Sequence, residues 1–452
     1  MIKKMKPFGF LLLAFYVWLF FFGKKNRVLY SFWASLFVSI FVSLGQFVSY
    51  VPYWAVSETA FLAFSFLFDK KCLPDKHTIV FGLSFFGIVC IGVIFVLAGL
   101  SSVEVLPLGS DIDQLAVSGH GILNVFSFRT IKYLLLCLLL VLYCWRASLL
   151  VRDFTIRYQT CSFLYTSFLV VFSLIILEFL ITNFVGVDIR NVYTSLFGVS
   201  ENSLSAKFKM GSFYSAFGFW TEPSGVSKAL IFFFLVAFKG IRRWRDLFFS
   251  LVGVLAVFLC RSTTAYLLLA VCVSFLLVLS IFQPGKFQKL FLLLPFFLIV
   301  GLVLLPRVMT NDYVLYNLGK IVDFFHNQEG KGSGYVRSSV ILFNINVFLA
   351  RPVFGAGIAS CDCHGILFGL LSNIGILGLL SYIVFLMYCA GFHFSFLSTI
   401  LVIVFIGFSC GCYTLSDAIS PFFFCIFLSC YSLDSKSFKY KSGVPFSCLV
   451  SV

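Results

Sequence analysis

Charged side chains are scarce in this chain, and their scarcity decides the protein class. Only 11% of the 452 residues are Asp, Glu, Lys or Arg, whereas soluble domains have about 25%. Acidic residues are the scarcest, because 18 Asp and Glu oppose 33 Lys and Arg and leave a net charge of +15. A water-soluble globular protein is therefore excluded. The basic excess does not predict nucleic-acid binding, because Lys and Arg lie in short clusters between apolar runs, as in membrane proteins.

The sequence also lacks the cysteine spacing of a disulfide framework, because most of its 15 cysteines stand singly inside apolar runs. Apolar sequence is abundant: 61% of the residues are hydrophobic and the mean hydropathy is +1.04. A helix needs about 20 apolar residues to cross a hydrocarbon core of about 30 Å. We therefore predict an all-α, polytopic integral membrane protein, one domain over residues 1–452 with about 12–13 transmembrane helices. The predicted spans are 7–23, 29–49, 53–68, 78–100, 131–149, 159–182, 220–238, 247–260, 264–282, 290–305, 366–390, 396–411 and 414–432.

Basic residues in the short connections predict the orientation of the chain, because they favour the cytoplasmic side. The first apolar run has basic residues on both flanks, so whether it crosses fully decides between the two counts of spans. Two long segments, 183–219 and 306–363, are then external loops, and loops of this length are uncommon unless they are functional. The clusters that fall on the cytoplasmic side are Lys70, Lys71 and Lys76; Arg146, Arg152 and Arg157; Lys239, Arg242, Arg243 and Arg245; Lys286 and Lys289; and Lys436, Lys439 and Lys441.

A carboxylate stands at the end of the first long loop, in the sequence Gly-Phe-Trp-Thr-Glu-Pro-Ser at 218–224. Pro223 suits the first turn of the span that follows and disfavours helical backbone at Glu222. One interpretation is a helix-start signal, with an acid near the positive end of the helix dipole. The other is a carboxylate at the membrane surface that accepts a proton from a hydroxyl group or holds that group. Both interpretations stay open.

Three arginines are candidates for binding an anion on the external side. Arg261 stands between two apolar runs, and charged residues at membrane depth are costly and usually functional. The alternative is an arginine near a helix end whose side chain extends to the membrane interface. The pattern from Tyr335 to Arg351 predicts a short amphipathic helix in the second loop, ended by a proline. Arg337, Asn344 and Arg351 share one face of it, and a guanidinium offers a planar fork of donors to phosphate oxygens. Contact with lipid headgroups is the alternative for Arg337, and it applies more strongly to Arg351.

His364 stands where the second long loop meets the next predicted span, within Cys-Asp-Cys-His-Gly at 361–365. A metal site there would need further ligands such as Cys410 and Cys412, and neither cysteine pair has the usual C-x2–4-C spacing of zinc sites. We therefore predict no metal. Glycine-rich sequence beside His364 permits close approach of another group, so the histidine is a candidate for acid–base chemistry.

Two of these runs resemble motifs of bacterial O-antigen polymerases of the Wzy type. The run at 218–224 is similar to the Glu-Pro-Ser signature of that family. The run Arg-Pro-Val-Phe-Gly-Ala-Gly at 351–357 is similar to an arginine-then-P-x-x-G-x-G pattern that the polymerases share with the O-antigen ligases.

Two further runs extend the resemblance, each with a departure. His364, Gly375 and Gly378 have the spacing of a shared motif of histidine, a polar residue, nine residues, glycine, two residues and glycine, but Gly365 replaces the polar residue. The Ser-Thr-Thr-Ala run at 262–265 resembles a Ser-Arg-x-Ala run, with the arginine placed before the serine. The resemblance covers 218–378 by motif and the rest of the chain by hydropathy.

The resemblance implies a glycosyltransferase of the bacterial inner membrane that uses no metal, cofactor or nucleotide sugar and whose site faces the periplasm. Its substrate is undecaprenyl diphosphate carrying an oligosaccharide repeat unit, and the growing chain is transferred to a new lipid-linked repeat. We assign Glu222 and His364 to the acceptor hydroxyl as candidate catalytic residues. Arg261, Arg337 and Arg351 are the candidates for binding the diphosphate. The expected partners are membrane lipids, a flippase and a chain-length regulator.

Two other functions stay open at this stage. An O-antigen ligase would use the same chemistry with a lipid A core acceptor, and the Glu-Pro-Ser run favours the polymerase over it. A polysaccharide flippase or other transporter would place its charges near the membrane midplane on broken helices, often in repeated halves. Here the candidate charges lie at the predicted outer surface, and the sequence has no visible repeat.

Reporter fusions test the predicted orientation. Fusions after Phe154, Trp244 and Ser437 should report a cytoplasmic position, and fusions near Ser203 and Gly330 an external one, because basic loops stay inside. A cytoplasmic signal at Gly330 would invert the topology and remove the proposed external site.

Overall fold

The computed structural model of this protein is mostly helical, which confirms the predicted helical class. Predicted spans 220–238, 396–411 and 414–432 lie outside the described residues, as do most of 264–282 and 290–305. The structure describes residues 6–23, 26–41, 46–48, 51–69, 76–98, 128–187, 209–210, 213–214, 216, 244–260, 280–290, 333–361 and 366–389, with isolated residues between 189 and 295.

The described helices, in chain order, are α1 (Pro7–Phe22), α2 (Arg27–Phe41), α3 (Tyr53–Phe68), α4 (Lys76–Leu97), α5 (Phe128–Val151), α6 (Phe154–Leu180), α7 (Trp244–Cys260), α8 (Ser333–Ala350) and α9 (Ile366–Cys389). A π-helical turn at Ile181–Val185 extends α6. Two short antiparallel hairpins complete the described elements: β1 (Gln46–Val48) with β2 (Val51–Pro52), and β3 (Lys209–Met210) with β4 (Phe213–Tyr214).

Four helical segments among the described residues are long and apolar enough to cross a membrane, as the hydropathy pattern predicts. They are His77–Phe95, Thr130–Val151, Thr155–Val185 and Leu367–Cys389. Shorter apolar helices accompany them at Pro7–Phe22, Tyr53–Phe68, Asp246–Cys260 and Val340–Ala350.

The predicted span at 29–49 differs from the structure. α2 ends at Phe41, and the chain then forms the β1–β2 hairpin before α3 begins at Tyr53. Pro52 is the N-cap residue of α3, and the residue before a proline is disfavoured in helical conformation, so the backbone is extended there. The predicted span therefore contains a shorter helix followed by a short paired strand.

Helices α4 and α9 run antiparallel, and two contacts between aromatic rings fix their alignment. The rings of Phe81 and Tyr388 lie 4.1 Å apart, and those of Phe85 and Tyr382 lie 5.2 Å apart. Phe85 and Tyr382 are fully buried or nearly so, in a core shared with α2, α3 and α5. The start of α4 therefore lies beside the end of α9.

Arg146 of α5 joins the ends of two more helices. Its side chain is 3% exposed and donates to the backbone oxygens of Ser65 at 3.0 Å and Asp69 at 2.8 Å, where α3 ends. The Asp69 carboxylate lies 3.6 Å from the same guanidinium. Since Lys76 begins α4 shortly after α3, and Arg152 follows α5 directly, these basic residues gather at one end of the bundle, which we call the basic end.

Helices α6 and α7 run parallel to each other from the basic end. The rings of Tyr165 and Phe249, in the first half of each helix, lie 5.2 Å apart, and Glu178 and Cys260, near the helix ends, are close enough to interact electrostatically. Lys289 lies over the ring of Trp244, 4.6 Å from its centroid, at the start of α7. The C-terminal ends of α6 and α7 consequently lie at the opposite end of the bundle, where α4 ends and α9 begins.

Candidate functional site

The loop after α8 packs against a break in α9. The backbone departs from helical geometry at Gly375, where φ is 66° and ψ is −174°, so α9 consists of two helical halves. The loop carbonyls of Pro352 and Val353 accept hydrogen bonds from the N–H groups of Ile376 and Leu377, at 2.8 and 3.2 Å. These are N–H groups that the break deprives of helical partners. The loop thus caps the second half of α9.

The same loop also satisfies the first half of α9. The N–H of Ala356 donates to the backbone oxygen of Ser372 at 2.8 Å. Gly355 permits this approach, because a Cβ atom there would lie 2.6 Å from the backbone of Asn373, and its φ is 68°. A Cβ atom at Gly375 would lie well inside van der Waals contact with the carbonyl of Val353. Both glycines are therefore required by backbone packing.

Asn373 holds the far end of the loop. Its side-chain oxygen accepts from the N–H of Cys361 at 3.1 Å, and its side-chain nitrogen donates to the Cys361 oxygen at 3.0 Å. Ser372 donates to the side-chain oxygen of Asn344 in α8 at 2.9 Å. Asn344, Ser372 and Asn373 are all fully buried. The side chains of Asn344, Ser372 and Asn373 therefore hold the backbone of Cys361, which precedes His364 by three residues.

The loop is enclosed by protein along residues 355–361, which are all buried. Ala359 in this stretch has φ of 70°, a left-handed conformation that costs an alanine roughly 1–2 kcal/mol. Gly375 lies inside the apolar segment Leu367–Cys389. At membrane depth an irregular backbone is tolerated only where protein or a water-filled cavity surrounds it. The hydrogen bonds between loop and broken helix meet that condition.

The position of Arg337 follows from the direction of α8. Asn344 contacts Ser372, and Pro352 contacts Ile376 further along both segments, so α8 and α9 advance in the same direction. Arg337 precedes Asn344 by seven residues on the same face, which places it about 10 Å nearer the start of α9. The structure thus brings the α8 position of Arg337 level with the beginning of α9.

Arg351 is half-buried where α8 ends and the loop begins. Its N–H donates to the oxygens of Val347 and Phe348, both at 3.0 Å. Next along the loop, the ring of Phe354 stacks on that of Phe95 near the end of α4, with centroids 5.1 Å apart. The loop thereby lies at the end of the bundle opposite the basic end.

A second anchored segment lies at the same end. The Asn183 side chain in the π-helical turn accepts from the N–H of Tyr214 at 2.6 Å and donates to its oxygen at 3.0 Å. Two residues later, the N–H of Ala216 donates to the oxygen of Leu259 at 3.2 Å, near the end of α7. The chain that leads to Glu222 is thus tied to the helix end that leads to Arg261.

Glu222, Arg261 and His364 themselves lie outside the described residues, and for Arg337 the structure describes the backbone. The structure brings together the chain segments that flank Glu222, Arg261 and His364. Ala216, Leu259 and Cys361 all lie at the end of the bundle opposite the basic end. We call this the motif end, defined by Ala216, Leu259, Arg351 and Cys361.

Three polar residues at the motif end were not singled out by sequence reasoning as functional candidates: Asn183, Glu178 and Asn373. Each is a polar residue within a largely apolar run, and Asn183 and Glu178 give no other sequence signal. Glu178 is 1% exposed and within electrostatic reach of Cys260, the residue that directly precedes Arg261. Asn373 stands two residues before Gly375, so a helix break marked by glycine could have drawn attention to it.

Among the described residues no group of three or more His, Cys, Asp and Glu side chains is arranged to hold a metal ion. Cys361 is described and fully buried, and the neighbouring residues 362–364 are outside the described part. Comparison with known proteins finds no family model that matches the chain and no curated protein with significant similarity to it.

Substitution of Gly375 tests the contact between loop and helix. Gly375→Ala should destabilise the protein by at least about 1–3 kcal/mol, because its backbone conformation is accessible to glycine alone and the new methyl group meets the Val353 carbonyl. The measurement is thermal unfolding of the purified protein in detergent.

Gly87→Ala is the matched control, since no atom lies within 4 Å of a Cβ atom at this helical position of α4. Alanine there should be neutral or stabilising by up to about 1 kcal/mol. Equal stability of the two variants would show that the loop does not pack against Gly375.

Proposed function

We propose that this protein is a polysaccharide polymerase of the O-antigen polymerase type, a glycosyltransferase that joins oligosaccharide repeat units linked to undecaprenyl diphosphate. The observation that supports the proposal most is the contact between two of its motif runs. Gly355 of the run at 351–357 packs directly on Gly375 of the histidine-glycine motif. The run at 351–357 and the histidine-glycine motif, which resemble separate motifs of the family, therefore belong to one structural unit.

In the proposed reaction, the acceptor hydroxyl of one lipid-linked repeat attacks the anomeric carbon of the growing chain. The bond between that carbon and the diphosphate oxygen breaks, a glycosidic bond forms, and undecaprenyl diphosphate leaves. A base takes the proton of the acceptor hydroxyl, and Glu222 and His364 are the candidates. Preplaced guanidinium groups stabilise the charge that gathers on the leaving diphosphate, and we assign this role to Arg337 and Arg261, with Arg351 at the base of the loop.

The distribution of charge supports an external position for this site. Lys76, Arg146, Arg152 and Lys289 share the basic end, and cytoplasmic segments carry an excess of such residues. The proposed orientation puts the basic end in the cytoplasm and the motif end at the periplasmic face of the inner membrane. Substrates flipped to the outer leaflet would meet the motif end there.

A purified-protein assay tests the proposed reaction. The chain is reconstituted in vesicles with a labelled undecaprenyl-diphosphate repeat unit, and the products are separated by length. Polymerisation predicts a ladder of lengthening chains with release of undecaprenyl diphosphate. Transfer that requires added lipid A core would indicate a ligase, and movement of intact substrate across the vesicle membrane without new bonds would indicate a flippase.

Arg337 supplies a sharp prediction within that assay. Lysine keeps the charge and loses the paired hydrogen bonds that a guanidinium makes to phosphate oxygens. Arg337→Lys should therefore be clearly impaired, and Arg337→Ala should fall by about a hundred- to a thousandfold in rate, the usual cost of one such donor. Lys320→Ala in the same predicted loop is the control and should have a mild effect. Full activity of Arg337→Lys would show that Arg337 only contacts lipid headgroups. Binding of the diphosphate would then be assigned to Arg261 or Arg351.

The acid–base roles are tested by pairing each candidate with a control. Glu222→Gln and His364→Ala should each abolish long chains while protein levels hold, because each removes a group assigned to the acceptor hydroxyl. Cys361→Ser with Cys363→Ser should be nearly silent. A dead double-cysteine variant together with inhibition by chelators would replace this proposal with a metal site.

A further inference from the structure

A carboxyl group is enclosed in the interior of the bundle, on α3. Glu58 of α3 is fully buried, and its neighbours on the same helix face include Trp54 and Phe61, which are 1% and 0% exposed. One carboxyl oxygen accepts a hydrogen bond from the Ser39 hydroxyl of α2 at 3.0 Å. The other oxygen has no hydrogen-bond partner among the described residues.

The described groups that face this part of α3 from α1, α2 and α5 are neutral. From α1, the Tyr16 hydroxyl bonds to the hydroxyl of Ser57, next to Glu58. From α5, Tyr143 packs its ring on Phe61 at 5.4 Å, and its hydroxyl bonds to Ser35 of α2 at 3.0 Å. These contacts bring hydroxyl groups and no positive charge to the carboxyl group.

Two described cations of the basic end are engaged elsewhere. Arg146 binds Ser65 and Asp69, about two helical turns from Glu58. Arg27 lies over the ring of Phe68, 4.7 Å from its centroid. Within the described residues Glu58 therefore forms no ion pair. Burial of an ionised carboxylate without a counter-charge is far more costly than burial of the neutral acid.

We propose that Glu58 is a proton-binding site in the interior of the helix bundle, occupied at neutral pH, where α1, α2 and α3 meet. The bound proton keeps the carboxyl group neutral and allows the three helices to pack around it. As pH rises and the proton leaves, an unpaired negative charge would appear between the helices. The contribution of this site to stability is therefore fully present below the carboxyl pKa of the unfolded chain, about 4.3, and falls as the pH rises above that value, because the unfolded chain ionises while the folded protein keeps the proton. The site is independent of the proposed transferase reaction.

Infrared difference spectroscopy tests this assignment directly. A protonated carboxyl group has a carbonyl stretch separate from those of carboxylates and amides. The spectrum of the wild-type protein minus that of Glu58→Gln, at neutral pH, should contain one acid carbonyl band that moves on exchange into heavy water. Subtraction of this variant isolates Glu58 from Glu178, the other buried acid among the described residues. A carboxylate band in place of the acid band would overturn the proposal.

Two further measurements separate the alternatives. Ser39→Ala removes the described donor to the carboxyl group, so the acid band should persist and shift in position. Added NaCl or KCl should leave the acid band unchanged, and its conversion to a carboxylate band would show a cation site instead. Thermal stability of wild type should fall with rising pH more steeply than that of Glu58→Gln, and equal pH dependence would contradict the proposed role of the proton in packing.

Discussion

The hydrogen bonds that α9 lacks at its break are made by the loop after α8, and the arrangement of the candidate site depends on this exchange. Donors at Ile376 and Leu377 and the acceptor at Ser372 would be unsatisfied without it. An unsatisfied backbone group in an apolar setting costs several kcal/mol, so loop and broken helix require each other. The glycines at 355 and 375 are what allow the two backbones to touch.

The consequences of this contact reach the residues that carry the proposed chemistry. Because Asn373 fixes Cys361 and α8 runs beside the start of α9, the segment before His364 and the helix position of Arg337 are held relative to one another. The hydrogen bond from Ala216 to Leu259, next to the Asn183 contacts with Tyr214, does the same for the segments that flank Glu222 and Arg261. A transferase that binds two large lipid-linked substrates needs such rigid supports, since reacting groups must be held in a productive geometry.

Much of the helical architecture follows from hydropathy alone. α3 has the predicted bounds of 53–68, and the helix predicted from Tyr335 to Arg351 is found as Ser333–Ala350. Length and apolar content suffice to predict these two helices, because burial of apolar side chains is what stabilises them. The break at Gly375 was not predicted, since hydropathy does not report backbone conformation, although the glycine itself was noted as part of a motif.

Tertiary contacts account for the remaining differences. Arg146 was interpreted as a marker of orientation, and its nearly complete burial against Ser65 and Asp69 could not be foreseen without knowing which helices pack together. Glu58 escaped notice because a single acid hardly alters the mean hydropathy of a span. The roles of Glu222, Arg261 and His364 remain predictions from sequence, supported by the anchored segments beside them.

The most direct test of the proposed function is the length of surface polysaccharide in a bacterial strain that lacks this protein and in the same strain with the gene restored. We predict that the deletion strain displays single repeat units and that restoration returns long chains. Long chains in the deletion strain, or single repeats that persist after the gene is restored, would contradict the proposed function.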